Sequence, residues 1–411
     1  MVTFEGYRHG DAALRRVSAA LFAGSFSSFG LLYCTQPLLP GFSREFDISP
    51  STAALSISVT TIALGIALLF AGQLSEIVGR TRMMRWSLVL GALVAGSTAL
   101  VTSWPAMLLL RGLTGLLLAG FPAVAMAYLR EEVHPSSHAR ATGLYIGGTA
   151  LGGMAGRLVS GGLAQVADWR WAMAGTALYG LICAAVVLLL LPDSRNFVPA
   201  PRSLQASASA FIGVLRDPTL LGLYAIGGIS MGSFVAVFNI TGYRLEDAPY
   251  LLPVGIAGLV YLVNPLGAVA STISGRFAEK YGRRAVVPIG FLIAIGGVGL
   301  TFAAPLWVFV LGLAVLTIGF FIVHGVASGW TSARAYLGKR STGSAASMYL
   351  FGYYLGSSVL GTLAGTAWRV GGWSTLATSV MITLSAGLVI SLLLRRTPVI
   401  APPEQPAPQA G

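Results

Sequence analysis

Long apolar segments separated by short polar connections run through most of the chain. Each segment holds about 20 residues, the length that an α-helix needs to cross the hydrocarbon core of a bilayer. Twelve segments are predicted to span a membrane: about 17–40, 52–75, 85–102, 105–128, 140–165, 170–191, 218–242, 251–274, 285–303, 305–329, 342–366 and 372–394. The pattern therefore predicts an all-α membrane protein with twelve transmembrane helices.

The widest connection divides the predicted spans into two groups of six. We predict a cytoplasmic segment at 1–16, a six-helix bundle at 17–191, a cytoplasmic linker at 192–217, a second bundle at 218–394 and a proline-rich, disordered cytoplasmic tail at 395–411. Pro37, Pro122 and Pro265 lie inside spans, where the missing backbone N–H predicts kinks.

Lysine and arginine are distributed unevenly between the two sets of connections. Twenty of the 26 lie on one side and four, at positions 44, 170, 244 and 369, on the other. Because cytoplasmic connections carry the excess of positive charge, both termini are predicted to be cytoplasmic. The net charge of +12 thus follows from topology. A nucleic-acid partner is not expected, because such a binder clusters its cations on one exposed face.

The composition argues against a soluble protein, and the spacing of cysteine and histidine argues against a metal site. Only 10% of the residues are charged and 55% are hydrophobic, whereas about a quarter of a soluble domain is charged. Cys34 and Cys183 lack zinc or CxxC spacing and are predicted to be buried thiols. His134 and His138 are four residues apart, but Pro135 interrupts a helix there. We therefore predict no metal site and no cofactor.

The two groups of spans repeat each other in sequence. The segment Gly72–Arg80 (GQLSEIVGR) matches Gly275–Arg283 (GRFAEKYGR) at an offset of 203. Glycines 148, 152 and 161 align with glycines 352, 356 and 365 at an offset of 204, and Trp169 aligns with Trp373. Two parallel repeats of this kind are a transporter architecture, with the solute site between the halves near the midplane.

Several motifs resemble those of the major facilitator superfamily. GQLSEIVGRTRMM resembles the family's loop motif GxLaDrxGrr, with Glu76 in place of Asp. RGLTGLLLAG resembles its fourth-helix motif. GTALGGMAGR resembles its efflux motif GxxxGPxxGG, with Gly153 replacing the proline and Arg157 the last glycine. With LLYCTQPLLP, FNITGYRL, FFIVHGVASGW and MYLFGYYLGSS, the likeness is greatest to the YnfM-like inner-membrane transporters, and it implies a bacterial inner membrane and alternating access.

The loop motif is predicted to form a conformational latch. Gly79 can take a positive φ without steric cost, and Glu76 can pair with Arg80 or Arg82. The resemblance implies that this element closes the cytoplasmic side and breaks as the halves rock. The alternative is that these charges only set topology. The predicted latch residues are Gly72, Glu76, Gly79 and Arg80, with Gly275, Glu279, Gly282 and Arg283 in the second half.

The fifth span carries a stripe of glycines. Gly148, Gly152 and Gly156 are four residues apart and therefore lie on one face of a helix, with Gly153 beside them. Such a stripe lets a neighbouring helix approach closely. We predict that these four glycines pack against another span.

Arg111 and Arg157 lie inside predicted spans, about 9 Å and about 12–14 Å from the outer ends of their helices. No carboxylate lies within any predicted span to neutralise them, and a charge at this depth is costly. Their counterparts in the second half are Leu311 and Gly361, so the repeat itself requires no cation.

Arginine's planar fork suits a carboxylate, phosphate or sulfonate. We therefore predict that Arg157 contacts an anionic group of the solute, the alternative being bonds to helix carbonyls. For Arg111 the resemblance favours helix contacts and proton coupling, with ligand contact as the alternative. Other candidates for solute binding are Tyr33, Gln36, Asn239 and His324, each of which could instead hydrogen-bond between helices.

The sequence predicts a secondary transporter that moves a small organic solute with an anionic group by alternating access. Proton-coupled export is the favoured direction. The alternatives are an organic-anion uptake symporter and a multidrug or cation efflux pump. A membrane enzyme would need a set of catalytic groups or metal ligands, and a channel would need a filter segment. The expected partners are the solute, protons and the lipid bilayer, and the chain is expected to be a monomer.

Overall fold

The computed structural model describes residues 6–197 and 204–398, which are almost entirely helical. A single parallel bridge pairs Tyr7 with Val133. The α-helices are α1 Ala12–Tyr33, α2 Leu39–Glu45, α3 Pro50–Val78, α4 Arg80–Ser97, α5 Trp104–Leu118, α6 Gly120–Glu132, α7 His138–Val166, α8 Trp169–Leu190, α9 Leu204–Leu215, α10 Pro218–Glu246, α11 Val254–Ala257, α12 Asn264–Tyr281, α13 Arg283–Leu300, α14 Leu306–Leu337 and α15 Thr342–Leu393. Short 3₁₀ turns occupy Gln36–Leu38, Thr98–Leu100, Pro135–Ser137, Gly258–Val263 and Leu394–Arg396.

Polar residues cap several of the long helices at their N-termini. The Ser49 side chain accepts a hydrogen bond from the backbone N–H of Thr52 at the start of α3. Asp168 and Asp217 do the same for α8 and α10, and Pro50 and Pro218 occupy the first turns of α3 and α10. These residues satisfy N–H groups that the helix itself leaves free, which fixes where each span begins.

Ten of the described helical segments are long and apolar enough to cross a membrane. Two observations bear on the difference from the predicted twelve. α15 has non-helical backbone angles at Gly371 and Gly372, where Gly372 has a φ of 61°, so two helices are joined there. α7, which carries Arg157, is 29 residues long but is not among the ten. The all-helical fold is confirmed, and the count of twelve stays a prediction.

The three prolines predicted to interrupt spans coincide with breaks. Pro37 lies in a 3₁₀ turn between α1 and α2, and Pro122 follows the junction of α5 and α6 at Ala119. Pro265 lies at the start of α12, directly after the 3₁₀ segment Gly258–Val263. Each break leaves backbone carbonyls that other groups can contact.

The predicted linker 192–217 contains a helix, which the sequence prediction did not include. α9 covers Leu204–Leu215, and Arg340 donates a hydrogen bond to the backbone carbonyl of Gly213. Residues 198–203 of the linker lie outside the described residues. So do residues 1–5 of the first segment and 399–411 of the tail.

Helices α1–α8 pack mainly among themselves, as do α10–α15. In the first half α1 packs against α7 and α8, and in the second half α10 packs against α15 and α13 against α14. The halves meet where α3 packs on α15 and where α7 packs on α11 and α12. This packing agrees with the predicted division into two bundles, which stays a prediction.

Polar contacts between the halves are concentrated at one end of the molecule. Arg44 forms a salt bridge of 3.1 Å with Glu246, and the hydroxyls of Ser43 and Tyr243 are 2.6 Å apart. Within the described residues, no hydrogen bond or ion pair joins the halves on the inner side of the Thr61–Ser358 contact. The charge pattern predicts that the closed end is periplasmic, so this conformation is inward-facing on that interpretation.

The glycine stripe of α7 lies against the backbone of α1. A Cβ atom added at Gly152 would be 2.2 Å from the carbonyl oxygen of Phe26, and one added at Gly156 would be 2.3 Å from that of Gly30. Gly148 is equally close to Ser25, whereas a Cβ at Gly153 would meet only Nη1 of Arg157, at 3.3 Å. Gly148, Gly152 and Gly156 therefore permit the close approach, and Gly153 lies beside the arginine.

Replacing Gly156 by alanine is expected to destabilise the protein by about 1–3 kcal/mol, because the new methyl group would press on α1 backbone that cannot move aside. The midpoint of thermal unfolding in detergent measures the loss. Gly147→Ala is the matched control, since a Cβ at Gly147 has no atom within 4 Å. Equal stability of the two variants would contradict the packing role.

Candidate solute-binding site

The break between α1 and α2 positions Tyr33 and Gln36. α1 ends at Tyr33, because Pro37 has no N–H to donate to the preceding turn. Both side chains are buried, with 4% of Tyr33 and 1% of Gln36 exposed. The hydroxyl oxygen of Tyr33 is buried without a hydrogen-bond partner within the described structure.

Arg157 lies near the middle of α7 and is only 4% exposed. Its Nε donates a 2.6 Å hydrogen bond to Oε1 of Gln36, and its Nη1 donates one of 2.8 Å to the carbonyl of Gly153. The guanidinium carbon lies 4.5 Å from the ring centre of Tyr33 and 5.0 Å from that of Tyr261. No ion pair to Arg157 occurs in the part of the chain that the structure describes. Aromatic faces and neutral oxygens therefore stabilise the charge where a counter-ion would be expected.

Gln36 connects Arg157 to the second half. Its Nε2 donates a 2.7 Å hydrogen bond to Oδ1 of Asn239 on α10, and Nδ2 of Asn239 donates one of 3.2 Å to the carbonyl of Gly361 on α15. Because a guanidinium can only donate, Gln36 must turn its oxygen to Arg157, which orients both amides. The structure thus brings Arg157, Gln36, Asn239 and Tyr33 together, and solute binding by these residues stays a prediction.

This chain of hydrogen bonds follows the internal repeat. Gln36 and Asn239 are 203 residues apart, the offset of the loop motifs, and they contact each other across the two halves. Arg157 and Gly361 occupy equivalent positions at its two ends. A Cβ at Gly361 would lie 3.1 Å from Nδ2 of Asn239. The second half therefore contributes a backbone carbonyl at the position where the first half contributes an arginine.

Tyr261 is a site residue that the sequence analysis missed. It lies in the 3₁₀ segment Gly258–Val263, and its ring completes the aromatic contacts of Arg157. In sequence it resembles any other tyrosine of an apolar span. Its only local signal is the nearby Asn264–Pro265 pair, which marks the helix break, and its contact with Arg157 spans the two halves.

A row of rings leads from Tyr261 to His324. Phe238 is 5.7 Å from Tyr261, Phe234 is 4.6 Å from Phe238, and Phe320 is 4.4 Å from Phe234, all between ring centroids. His324 stacks 5.9 Å from Phe320.

His324 itself is half-buried, and its Nδ1 lies 3.1 Å from the hydroxyl of Tyr349. His324 therefore lies at the end of the row of rings that is farthest from Tyr261, and within the described structure it forms no hydrogen bond to Arg157.

Arg111 is fully buried and bound to backbone carbonyls. Its Nη1 and Nη2 donate to the carbonyls of Leu31 and Leu32 at 3.0 and 2.7 Å, and its Nε donates to that of Ser56 at 3.1 Å. Leu31 and Leu32 belong to the last turn of α1, where carbonyls lack helical partners and attract positive charge. These contacts favour the helix-contact alternative for Arg111. Ligand contact by Arg111 stays a prediction, and this conformation gives it no support.

The two copies of the loop motif differ in their contacts. Arg80 Nη2 lies 2.8 Å from carboxylate oxygens of both Glu76 and Glu131, and its Nη1 donates to Ser75. Glu279 and Arg283, the second-half equivalents, form no ion pair within the described residues. Gly79 and Gly282 both have a positive φ, 92° and 85°, at the turns between helices. Gly72 and Gly275 have open space around them. The latch role of these eight residues stays a prediction.

Comparison with known proteins identifies the family. The family model described as Major Facilitator Superfamily matches residues 21–359. The chain belongs to this superfamily. Over 95% of its length it is 39% identical to the inner membrane transport protein YnfM of Escherichia coli, covering 93% of that protein. It is 38% identical to the MFS-type transporter YybF of Bacillus subtilis over 95% of this chain and 96% of that one.

Solved structures share the fold at low sequence identity. A bacterial homologue of the human lysosomal transporter Spinster, inward-facing and unoccupied, has a TM-score of 0.72 at 17% identity, covering 94% of this chain and 96% of its own. The nucleoside transporter NupG has a TM-score of 0.70 at 16% identity, covering 92% and 99%. Membership of the superfamily, shown by the family model and the two relatives, makes the protein a multi-pass membrane transporter of a small-molecule solute and not an enzyme.

Replacing Arg111 by leucine is expected to lower the thermal unfolding midpoint by several degrees, because buried carbonyls of α1 and α3 would lose their donors at a cost of about 1–3 kcal/mol each. Arg82→Leu, at an exposed position, is the control. Normal stability of Arg111→Leu combined with a loss of solute binding would instead support ligand contact.

Proposed function

We propose that this transporter exports small organic anions in exchange for protons, across the inner membrane of a bacterium and as a monomer. The observation that carries the proposal is Arg157, a buried cation at the junction of the two halves with neutral oxygens and aromatic rings around it. The similarity to YnfM, an inner membrane transport protein, supports an inner-membrane location, and the positive charge of the predicted cytoplasmic connections supports both termini inside.

The surroundings of Arg157 favour an anion that also has an aromatic or apolar body. A carboxylate or sulfonate could take the place of the Gln36 oxygen at the guanidinium and form a charge-assisted hydrogen bond. The rings of Tyr33 and Tyr261, and the row of rings that leads to His324, offer apolar faces nearby. A lipophilic cation would meet the charge of Arg157 without a carboxylate to balance it. The surroundings therefore weigh against cation efflux.

Coupling to protons requires a group that can bind and release a proton. His324, which has a hydroxyl partner in Tyr349, is our candidate proton carrier. The membrane potential of a cell with a negative interior favours the export of an anion by about 2.3 kcal/mol per elementary charge per 100 mV. Uptake of the anion would need protons to move with it. The organic-anion symporter is therefore the second candidate, favoured by the arginine that replaces the last glycine of the efflux motif.

Replacing Arg157 by alanine is expected to weaken the transport affinity for aromatic carboxylates and sulfonates by about 10- to 100-fold, since hydrogen bonds to charged groups contribute about 1.5–3 kcal/mol. Arg157→Lys should recover only part of the loss, because lysine keeps the charge but not the planar fork. Arg369→Ala, at an exposed position, is the control, with unfolding midpoints measured for all variants. Unchanged affinity in both Arg157 variants would remove the solute role.

Flux through purified protein in proteoliposomes tests charge preference, direction and coupling together. Aromatic carboxylates should be transported in preference to quaternary ammonium solutes of the same size. A pH-sensitive dye inside the vesicles should report protons moving opposite to the anion, with the membrane potential clamped. Protons moving with the anion would support the symporter, and a preference for cations would contradict the proposed substrate class.

A further inference from the structure

Two cavities flank the cytoplasmic end of α12, on the orientation predicted above. One, of about 680 Å³, has four charged residues in its lining, Glu279, Arg283, Arg284 and Arg334. The other, also of about 680 Å³, is lined by apolar residues apart from one serine. Tyr281 lines both cavities, so they adjoin at this residue.

The two cavities follow one face of α14. Ile318 and Ile322 line the apolar cavity, while Val326, Trp330 and Arg334 line the charged one. At 1.5 Å per residue, the lining residues from Ile318 to Leu337 extend over about 28 Å. Together the cavities form a trough that is apolar at membrane depth and cationic at its inner end.

The charges in this trough differ from those in the first half at the last turn of α14. In the first half, Arg80 pairs with Glu131. Arg283 corresponds to Arg80 at the offset of 203, and Arg334 lies in the last turn of α14 as Glu131 lies in the last turn of α6. Asp217 pairs with Arg334 at 3.1 Å.

The Asp217 pair still leaves Arg283 and Arg284 as cations at the trough. The Arg284 guanidinium donates to the carbonyl of Arg395, and Arg283 has no ion pair within the described residues. Among the described residues that line the charged cavity, the arginines therefore outnumber the single carboxylate, Glu279.

The first half fills the corresponding space with its own chain. The ring of Phe197 lies 5.0 Å from the guanidinium carbon of Arg80, and Ser194 donates to the buried carboxylate of Glu132. In the second half, the backbone carbonyl of Pro398 accepts a hydrogen bond from Arg334 at the rim of the charged cavity. The ring of Trp330 lies 5.9 Å from the guanidinium carbon of Arg284, and Glu279 is the one carboxylate among the described residues that line this cavity.

We propose that the trough binds one anionic phospholipid of the cytoplasmic leaflet. The phosphate would lie between Arg283 and Arg284, and an acyl chain would lie along Ile273, Phe277 and Ile322. Charge complementarity favours this occupant, because the arginines that line the charged cavity outnumber Glu279, its one described carboxylate, and a neutral or cationic headgroup would leave that excess unbalanced. Basic pockets between transmembrane helices at the cytoplasmic surface are suited to such headgroups.

Native mass spectrometry of the full chain in detergent tests the proposal, with phosphatidylglycerol and phosphatidylethanolamine of the same acyl chains as probes. Phosphatidylglycerol should bind more tightly. The double variant Arg283→Gln and Arg284→Gln should lose about 25-fold in its affinity, at about fivefold for each charge near the surface. Val269→Trp, which fills the apolar cavity from an exposed position, should also weaken binding without changing the charge.

Arg276→Gln is the matched control, because Arg276 is an exposed arginine of α12 that lines neither cavity. Equal binding of the two lipids, or an equal loss in the Arg276 variant, would overturn the proposal. Glycerol 3-phosphate binding as tightly as the lipid would remove the acyl-chain part. If the preference for phosphatidylglycerol appeared only after the chain was truncated at Pro398, residues 399–411 would be the occupant of the trough in the full chain.

Discussion

The interruption of α1 at Pro37 is the constraint around which the site is built. In a membrane, backbone groups that a helix leaves free must find partners within the protein. Arg111 supplies donors to the last turn of α1, at the carbonyls of Leu31 and Leu32. With that turn held, the following residues present Gln36 to Arg157. Arg111 thus stabilises the break, and the break positions Gln36 as the hydrogen-bond partner of Arg157.

The two halves share a backbone plan but differ in charge. At the centre, a chain of hydrogen bonds through the side-chain amides of Gln36 and Asn239 joins Arg157 in one half to the carbonyl of Gly361 in the other. At the end that the charge pattern predicts to be cytoplasmic, the last turn of α6 carries the carboxylate of Glu131, whereas the last turn of α14 carries the guanidinium of Arg334. The repeat therefore fixes where side chains meet, while the departures from it decide where an uncompensated cation can receive an anion.

Local sequence patterns predicted the helical architecture and part of the site. The glycine spacing of α7 and the turn at Gly79 depend on nearby residues, and both are visible in the structure. Gln36 and Asn239 could be proposed because polar side chains are rare at membrane depth. Tyr261 and the different roles of the two arginines could not be predicted, because they depend on which carbonyls and rings distant segments bring near. The helix α9 was missed because proline and serine around it indicated a linker.

The hydrogen bonds of Gln36 link the proposed solute site to the second half. In this conformation its oxygen is held by Arg157 and its nitrogen by Asn239, at the end where the halves are closed together. On the proposed role of Arg157, an anion that takes over the guanidinium releases Gln36 from its orientation and weakens its bond to Asn239. Occupancy and opening would then be thermodynamically linked. A ligand that competes successfully for one hydrogen bond would thereby lower the work needed to separate the halves.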